Sequence, residues 1–203
     1  MSGFGFTYEY AKEIDTAENI FDKLNIHEFH ACRNEQQSFF FLNSKLQPRT
    51  QATNVQSKIF SNWNNKDIIK KYSIGRVYRY DSDRTHVPMF HQMDVIYVNS
   101  DANISTLKGF IDVFLEKIFN NNITYRMRLS YFPFTTPSYE VDVNLKGNWV
   151  ELLGCGIIHE NVFKNNQKKP TYGFAIGLGI ERLCMLLEKC QDLRDLYNNK
   201  NIF

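Results

Sequence analysis

The sequence predicts an α+β fold, an antiparallel β-sheet flanked by helices, on three observations. Strand-like segments follow one another from residue 75 to residue 153 with one long helix among them. The segment "YEVDVNL" alternates strictly, with Tyr139, Val141 and Val143 on one face and Glu140 and Asp142 on the other, as a strand with one covered face requires. Residues 105–119, "STLKGFIDVFLEKIF", repeat apolar side chains at Leu107, Phe110, Ile111, Phe114, Leu115 and Ile118, the period of a helix lying on such a sheet.

The other elements follow in order. Residues 17–24, "AENIFDKL", read as a short helix, and 38–43, "SFFFLN", as a buried strand. Thr53 is the expected cap of a helix over "NVQSKIFSNW", with Val55, Ile59 and Trp63 along one side. Residues 75–81 and 89–98 read as two strands around "SDRTHVP", where Pro88, lacking a ladder N–H, belongs to the loop. Ser105 is the expected cap of the long helix. Strands are expected at 124–130, 138–145 and 148–153, and "GFAIGLGIERLCMLLEKC" reads as a Gly-rich turn leading into a helix. No repeat, Pro-rich linker or low-complexity block divides the chain, and its 203 residues with 43% hydrophobic content suit one domain over 1–203.

The net charge of +2 excludes a generally polycationic nucleic-acid binder, so any RNA contact must be local or supplied by a partner. Cys32, Cys155, Cys184 and Cys190 form no C-x-x-C pair, so reduced thiols are expected rather than a zinc site. Neither a membrane span nor a secretion signal is expected.

Three stretches carry candidate chemistry. In "GRVYRYDSDRTHVPMFHQMD", alternation places Arg79 with Val77 on one face, and Phe90, Gln92 and Asp94 on one face of the returning strand. A bidentate cation, a stacking ring, an amide and a carboxylate together suit a nucleotide and a small zwitterion; a solvated charged hairpin is the other reading. "GFAIGLGIERL" does not complete G-x-G-x-x-G, because Arg182 stands at the last position, and it lacks a βαβ context. Its informative feature is Arg182, one turn into a helix after glycines, available either to a ligand or to a helix salt bridge. Phe132 and Phe134 flank Pro133 on one side and either wall a flat apolar pocket or fill a core.

Taken in order, these segments resemble the catalytic core of class II aminoacyl-tRNA synthetases, and in particular the family of α subunits of bacterial-type phenylalanyl-tRNA synthetase. "GRVYRYDSDRTHVPMFHQMD" resembles that family's second signature motif and "GFAIGLGIERLCML" its third. "LSYFPFTTPSYEVDV", "WVELLGCGIIHENVF" and "FDKLNIHEFHACR" are similar to family-specific stretches. The resemblance runs from about Gly5 to the C-terminus.

It implies phenylalanine activation by ATP with Mg²⁺, then transfer to tRNA(Phe), in the cytoplasm and together with a β subunit in an αβ or (αβ)₂ assembly. Arg79 and Arg182 match the family's two motif arginines, Arg79 at the α-phosphate and substrate carboxylate, Arg182 at adenine and the γ-phosphate. Phe90 would stack on adenine, and Asp81, Arg84 and His86 belong to the ATP-binding loop. Phenylalanine would meet Phe132, Phe134, Ala175 and Gly177 through its ring and Gln92, Asp94, Gln51 and Thr53 around its ammonium group. Glu140 and Glu151 are the implied magnesium-side carboxylates.

Four positions depart from the family pattern: Asp94 where Glu is usual, Thr136 for Glu, Ile176 for an aromatic and Lys12 for Pro. Neither the family's N-terminal coiled-coil arm nor an editing domain is expected within these residues, which suggests a minimised subunit or a fragment. A non-aminoacylating module that binds amino acid or adenylate is the alternative.

Overall fold

A computed structural model describes residues 1–34, 37–81, 86–120, 123–145, 147–188 and 192–197. In chain order the elements are β1 (Thr7–Tyr8), β2 (Ile14–Thr16), α1 (Ala17–Ile20), β3 (Leu46–Pro48), α2 (Val55–Asn62), β4 (Ile69–Tyr78), β5 (Met89–Val98) and α3 (Ile104–Phe119). Then come β6 (Thr124–Phe132), β7 (Thr135–Leu145), β8 (Asn148–Ile158), α4 (Glu160–Asn165), β9 (Gly173–Gly179) and α5 (Ile180–Glu188), with short 3₁₀ turns between. The main sheet runs β1-β4-β5-β9-β8-β7-β6, and β2 pairs with β3 apart from it. All its pairings are antiparallel except β1 with β4, which is parallel. The fold is α+β, as the sequence predicts.

Each face of the sheet has its own core. Met93 and Val95 of β5, Val141 and Val143 of β7 and Leu178 of β9 bury against Leu107, Ile111 and Leu115 of α3. On the other face, Ile96 and Val98 of β5 and Ala175 of β9 are covered by Ile20 and Phe21, by Val55 and Phe60 of α2, and by Val162 and Phe163 of α4. Along β5 that second face changes character. Ile96 and Val98 lie under the helices, whereas Asp94, Gln92 and Phe90 continue beyond them. The functional cleft begins where the apolar cover ends.

Several elements differ from the sequence expectation, each for a physical reason. Residues 38–43 form no strand. They have no ladder partner, Leu42 is 95% exposed, and Asn43 adopts a positive φ of 55°. The apolar run reflects propensity, and a strand also needs a neighbour. The 17–24 helix is only one turn, capped by the Thr16 hydroxyl and followed by a 3₁₀ turn over Asp22–Leu24. Thr53 does not cap α2: it is buried in a 3₁₀ turn, and Asn54 takes the cap position without a side-chain bond. Asn103, not Ser105, caps α3, accepting from the Ser105 and Thr106 amides at 2.8 and 3.0 Å, while the Thr106 hydroxyl accepts from the Asn103 amide in a reciprocal capping box. The glycine-rich stretch 173–179 is a strand, not a turn, with β5 on one side and β8 on the other. Strands 75–81, 124–130 and 148–153 are Ile69–Tyr78, Thr124–Phe132 and Asn148–Ile158 in the structure, because both partners of each hairpin extend together.

Candidate active site

The cleft has a volume of about 500 Å³. Its floor is the second face of β5, β9 and β8. In register, Gln92 pairs with Gly179 and Gly75, Asp94 with Gly177, and Gly177 with Gly154. The side chains facing the cleft from the flanking strands are therefore absent, so the polar residues of β5 stand over open floor. This use of the glycines is packing, not conformational freedom. A Cβ at Gly154 would lie 2.8 Å from the Phe132 ring, and one at Gly177 would lie 3.1 Å from Gln92 Nε2.

Every described residue of the expected set lines this one cleft, from Gln51 and Thr53 through Arg79, Asp81, His86 and Phe90 to Ala175, Gly177 and Arg182. Arg84 lies outside the described residues. The hairpin alternation holds: Arg79, Phe90, Gln92 and Asp94 all open to the cleft, while Met93 and Val95 enter the α3 core.

Arg79 sits just beyond β4, where its amide donates to the Pro88 carbonyl at 3.0 Å and closes the neck of the hairpin. Its Nε donates to the Thr50 carbonyl at 3.0 Å, and its guanidinium carbon lies 5.2 Å above the Phe90 ring. Burial lowers its pKa, and Asp81 opposes that shift. On the other side, Arg182 Nη1 donates to Glu151 Oε1 at 2.9 Å, reaching from α5 to β8.

Gln92 accepts from the Ala52 amide through Oε1 at 2.8 Å, which turns its NH₂ toward Gly177. Asp94 is 2% exposed and accepts from Gln56 Nε2 at 3.1 Å. Burial pushes Asp94 up to about 7, against hydrogen bonds from Gln56 and Thr53 and the charge of Arg49. Gln51 is engaged at both ends of its amide: Nε2 donates to the Ile20 carbonyl at 2.9 Å, and Oε1 accepts from the Thr50 hydroxyl at 2.7 Å. It ties the cleft wall to α1. The rings of Phe132 and Phe134 stand 5.9 Å apart and nearly parallel, 8° between planes.

Glu140 accepts from the Ser130 hydroxyl at Oε1, 2.9 Å, and pairs with Arg128 at Oε2, 2.7 Å. Glu151 shares its carboxylate with Arg182. Among the described residues no group of three His, Cys, Asp or Glu side chains is gathered to hold a metal. These hard oxygen donors fit Mg²⁺ only as an ion carried chiefly by a nucleotide's phosphates, the usual habit of that ion.

Sequence reasoning missed Gln56, Arg49 and Glu181. Gln56 donates to Asp94 while its buried Oε1 has no partner. Glu181 accepts from the His91 amide at 2.8 Å, contacts His91 Nδ1 at 2.7 Å and accepts from the Tyr197 hydroxyl. Nothing in local periodicity marks these residues, since each takes its meaning from a partner brought to it by folding, 27 positions away for Arg49, 38 for Gln56 and 90 for Glu181.

The cleft, with its two arginines over a glycine-floored antiparallel sheet, sits in a class II tRNA synthetase core domain. The chain belongs to that family: the family model described as tRNA synthetases class II core domain (F) matches residues 1–203. Among curated relatives it is 41% identical to the phenylalanine–tRNA ligase alpha subunit of Ehrlichia canis, over 97% of this chain and 59% of that protein. It is 44% identical to the proteins of that name from Actinobacillus succinogenes and Haemophilus influenzae, over 98% of this chain and 60% of each. The chain thus spans about three-fifths of the length of these relatives.

Proposed function

We propose that this chain is the catalytic core of a phenylalanine–tRNA ligase alpha subunit. It would act in the cytoplasm with a beta subunit, activating phenylalanine with ATP and passing it to tRNA(Phe). The observation that carries this reading is the single cleft that presents Arg79 and Arg182 from opposite sides, a carboxylate–amide pair between them, and two parallel phenylalanine rings at one end. No helix among the described residues is long and apolar enough to cross a membrane.

In the first step a phenylalanine carboxylate oxygen attacks the α-phosphorus of ATP, the bond to the bridging oxygen breaks, and pyrophosphate leaves. Arg79 is suited to hold both the attacking carboxylate and the α-phosphate, since a planar guanidinium offers parallel donors that a lysine lacks. It also spreads the charge that builds on the phosphorus oxygens. Phe90 offers a stacking face beside it. Arg182 would exchange Glu151 for the nucleotide. Bound Mg²⁺ would neutralise triphosphate charge, with Glu140 and Glu151 the carboxylates at hand.

Asp94 must be ionised to meet the substrate ammonium, and the ammonium itself favours that form. Asp94, Gln92 and Thr53 would make the polar end of the cleft, and the Phe132–Phe134 pair would take the ring. An apolar pocket rejects an added hydroxyl by only about 10²-fold, so tyrosine is expected as a slow alternative substrate. In the second step a hydroxyl of the terminal adenosine attacks the acyl carbonyl, and AMP leaves.

The test is phenylalanine-dependent ATP–pyrophosphate exchange, with and without a beta subunit. Exchange dependent on phenylalanine supports the reading. A folded protein that gives none in either condition overturns it.

A further inference from the structure

Arg49 has no part in the chemistry above, yet two costly features are arranged around it. Its side chain is almost wholly buried, and its hydrogen bonds go to neutral acceptors: Nε to the Arg76 carbonyl at 2.8 Å, Nη1 to Asn54 Oδ1 at 3.3 Å. The acid that acts on it most strongly, Glu13, is bound to Arg76 and to the Tyr78 hydroxyl instead. A buried cation without an ion partner is expensive. The second feature is Gly75, in the middle of β4. A Cβ there would lie 2.2 Å from Arg49 Nη2, so the guanidinium rests directly on the glycine backbone. Glycine inside a strand weakens it, and a close approach of this kind is a reason to keep one.

What the pair achieves follows from register. Gly75 is opposite Gln92, and the next pair on the same face is Ser73 with Asp94. The guanidinium, resting on Gly75, thereby lies on the face of β4 that Gln92 and Asp94 share across the ladder. We propose that Arg49 is a positioning residue of the cleft: a built-in buried cation, seated on Gly75, that favours the carboxylate form of Asp94 for the ammonium group of an amino-acid substrate. The inference rests on the amino-acid reading of the cleft.

Arg49 is the cation among the groups that favour the Asp94 carboxylate. From α2 and the turn before it, Gln56 and Thr53 are neutral donors, and Ser73 on β4 and Gly177 on β9 carry no charge. Of the cations of β4, Lys71 and Arg76 are paired with Glu9 and Glu13 and Lys70 lies over the Tyr97 ring, while Arg79 stands four residues beyond Gly75. Burial drives Asp94 toward its protonated form, the hydrogen bonds from Gln56 and Thr53 oppose that first, and Arg49 is the charge that adds to them.

The deciding measurement is a ¹³C NMR titration of the Asp94 carboxyl in the wild type, Arg49→Lys, Arg49→Met and Gly75→Ala. Arg49→Lys should titrate near the wild type. Arg49→Met, and Gly75→Ala through displacement of the guanidinium, should each titrate about one pH unit higher. In exchange assays, half-saturation by phenylalanine should rise about tenfold near pH 6 for Arg49→Met and converge on the wild type above about pH 9. Unchanged titration in the variants that fold, with only a lower melting temperature, overturns the inference. Gly75→Ala decides it if Arg49→Met does not fold. Because the titration needs no substrate, a shifted Asp94 without phenylalanine-dependent exchange sustains the Arg49–Asp94 linkage and counts against the substrate instead.

Discussion

Burial sets Asp94 close to its point of half-ionisation at neutral pH, and that single fact links stability to binding. The native state holds a proton on Asp94 between its ordinary 3.8 and about 7, where the unfolded chain has released it. The stability this proton contributes is complete below about pH 4 and is lost as the pH rises through about 7. Asp94→Asn removes the titration. Relative to the wild type it should gain stability between pH 5 and pH 8, by up to about 4 kcal/mol for a shift of three units, measured by urea unfolding at each pH. The same variant should lose phenylalanine affinity, because no carboxylate meets the ammonium. Arg79→Ala should abolish adenylate formation, read as exchange rate; near-normal exchange would remove Arg79 from the proposed mechanism. Both residues were legible in the sequence, from alternation along two strands. Gln56 and Arg49 were not, because the partners that give them meaning are brought to them only by folding.

At the scale of elements, caps and strand glycines make separate predictions. Asn103→Ala should cost about 1 kcal/mol of stability by removing the α3 cap, whereas Ser105→Ala should change little, a contrast that urea melts can read. Gly154→Ala pushes a methyl into the Phe132 ring, which is stacked on Phe134 beside the cleft. Half-saturation for phenylalanine should rise several-fold more than that for ATP, a ratio that exchange kinetics measures directly. The sequence read the glycines at 173–179 as a turn because glycine is the common turn former. The structure spends them on a central strand, where the missing side chains form the floor. Periodicity served α3 and β7 well, since one face of each meets a continuous apolar core. It failed at residues 38–43, where an apolar run had no strand to pair with.

Across the whole molecule, the 3₁₀ turn at Leu193–Leu196 returns to the site. Leu193 is 4% exposed and lines the cleft, and the Tyr197 hydroxyl donates to Glu181, which also holds His91 at the mouth of β5. Glu181 stands next to Arg182, so this tie joins the hairpin, α5 and the 3₁₀ turn. Tyr197→Phe should cost about 1.5–3 kcal/mol for a hydrogen bond to a charged group. If the tie steadies Arg182, half-saturation for ATP should rise as well, while a purely local loss would lower stability alone.

The sequence by itself determined the α+β class, the strand pair that carries Arg79, Phe90, Gln92 and Asp94, and the helix that carries Arg182. Those follow from spacing, because side-chain direction repeats every two residues in a strand and every 3.6 in a helix. Only the tertiary structure decided how β9 is used, which residue caps α3, where Arg49 rests and how strongly Asp94 holds its proton. Each of these depends on what stands opposite in space, and a dielectric, a close approach or a ladder partner has no signature in the neighbouring letters of the chain.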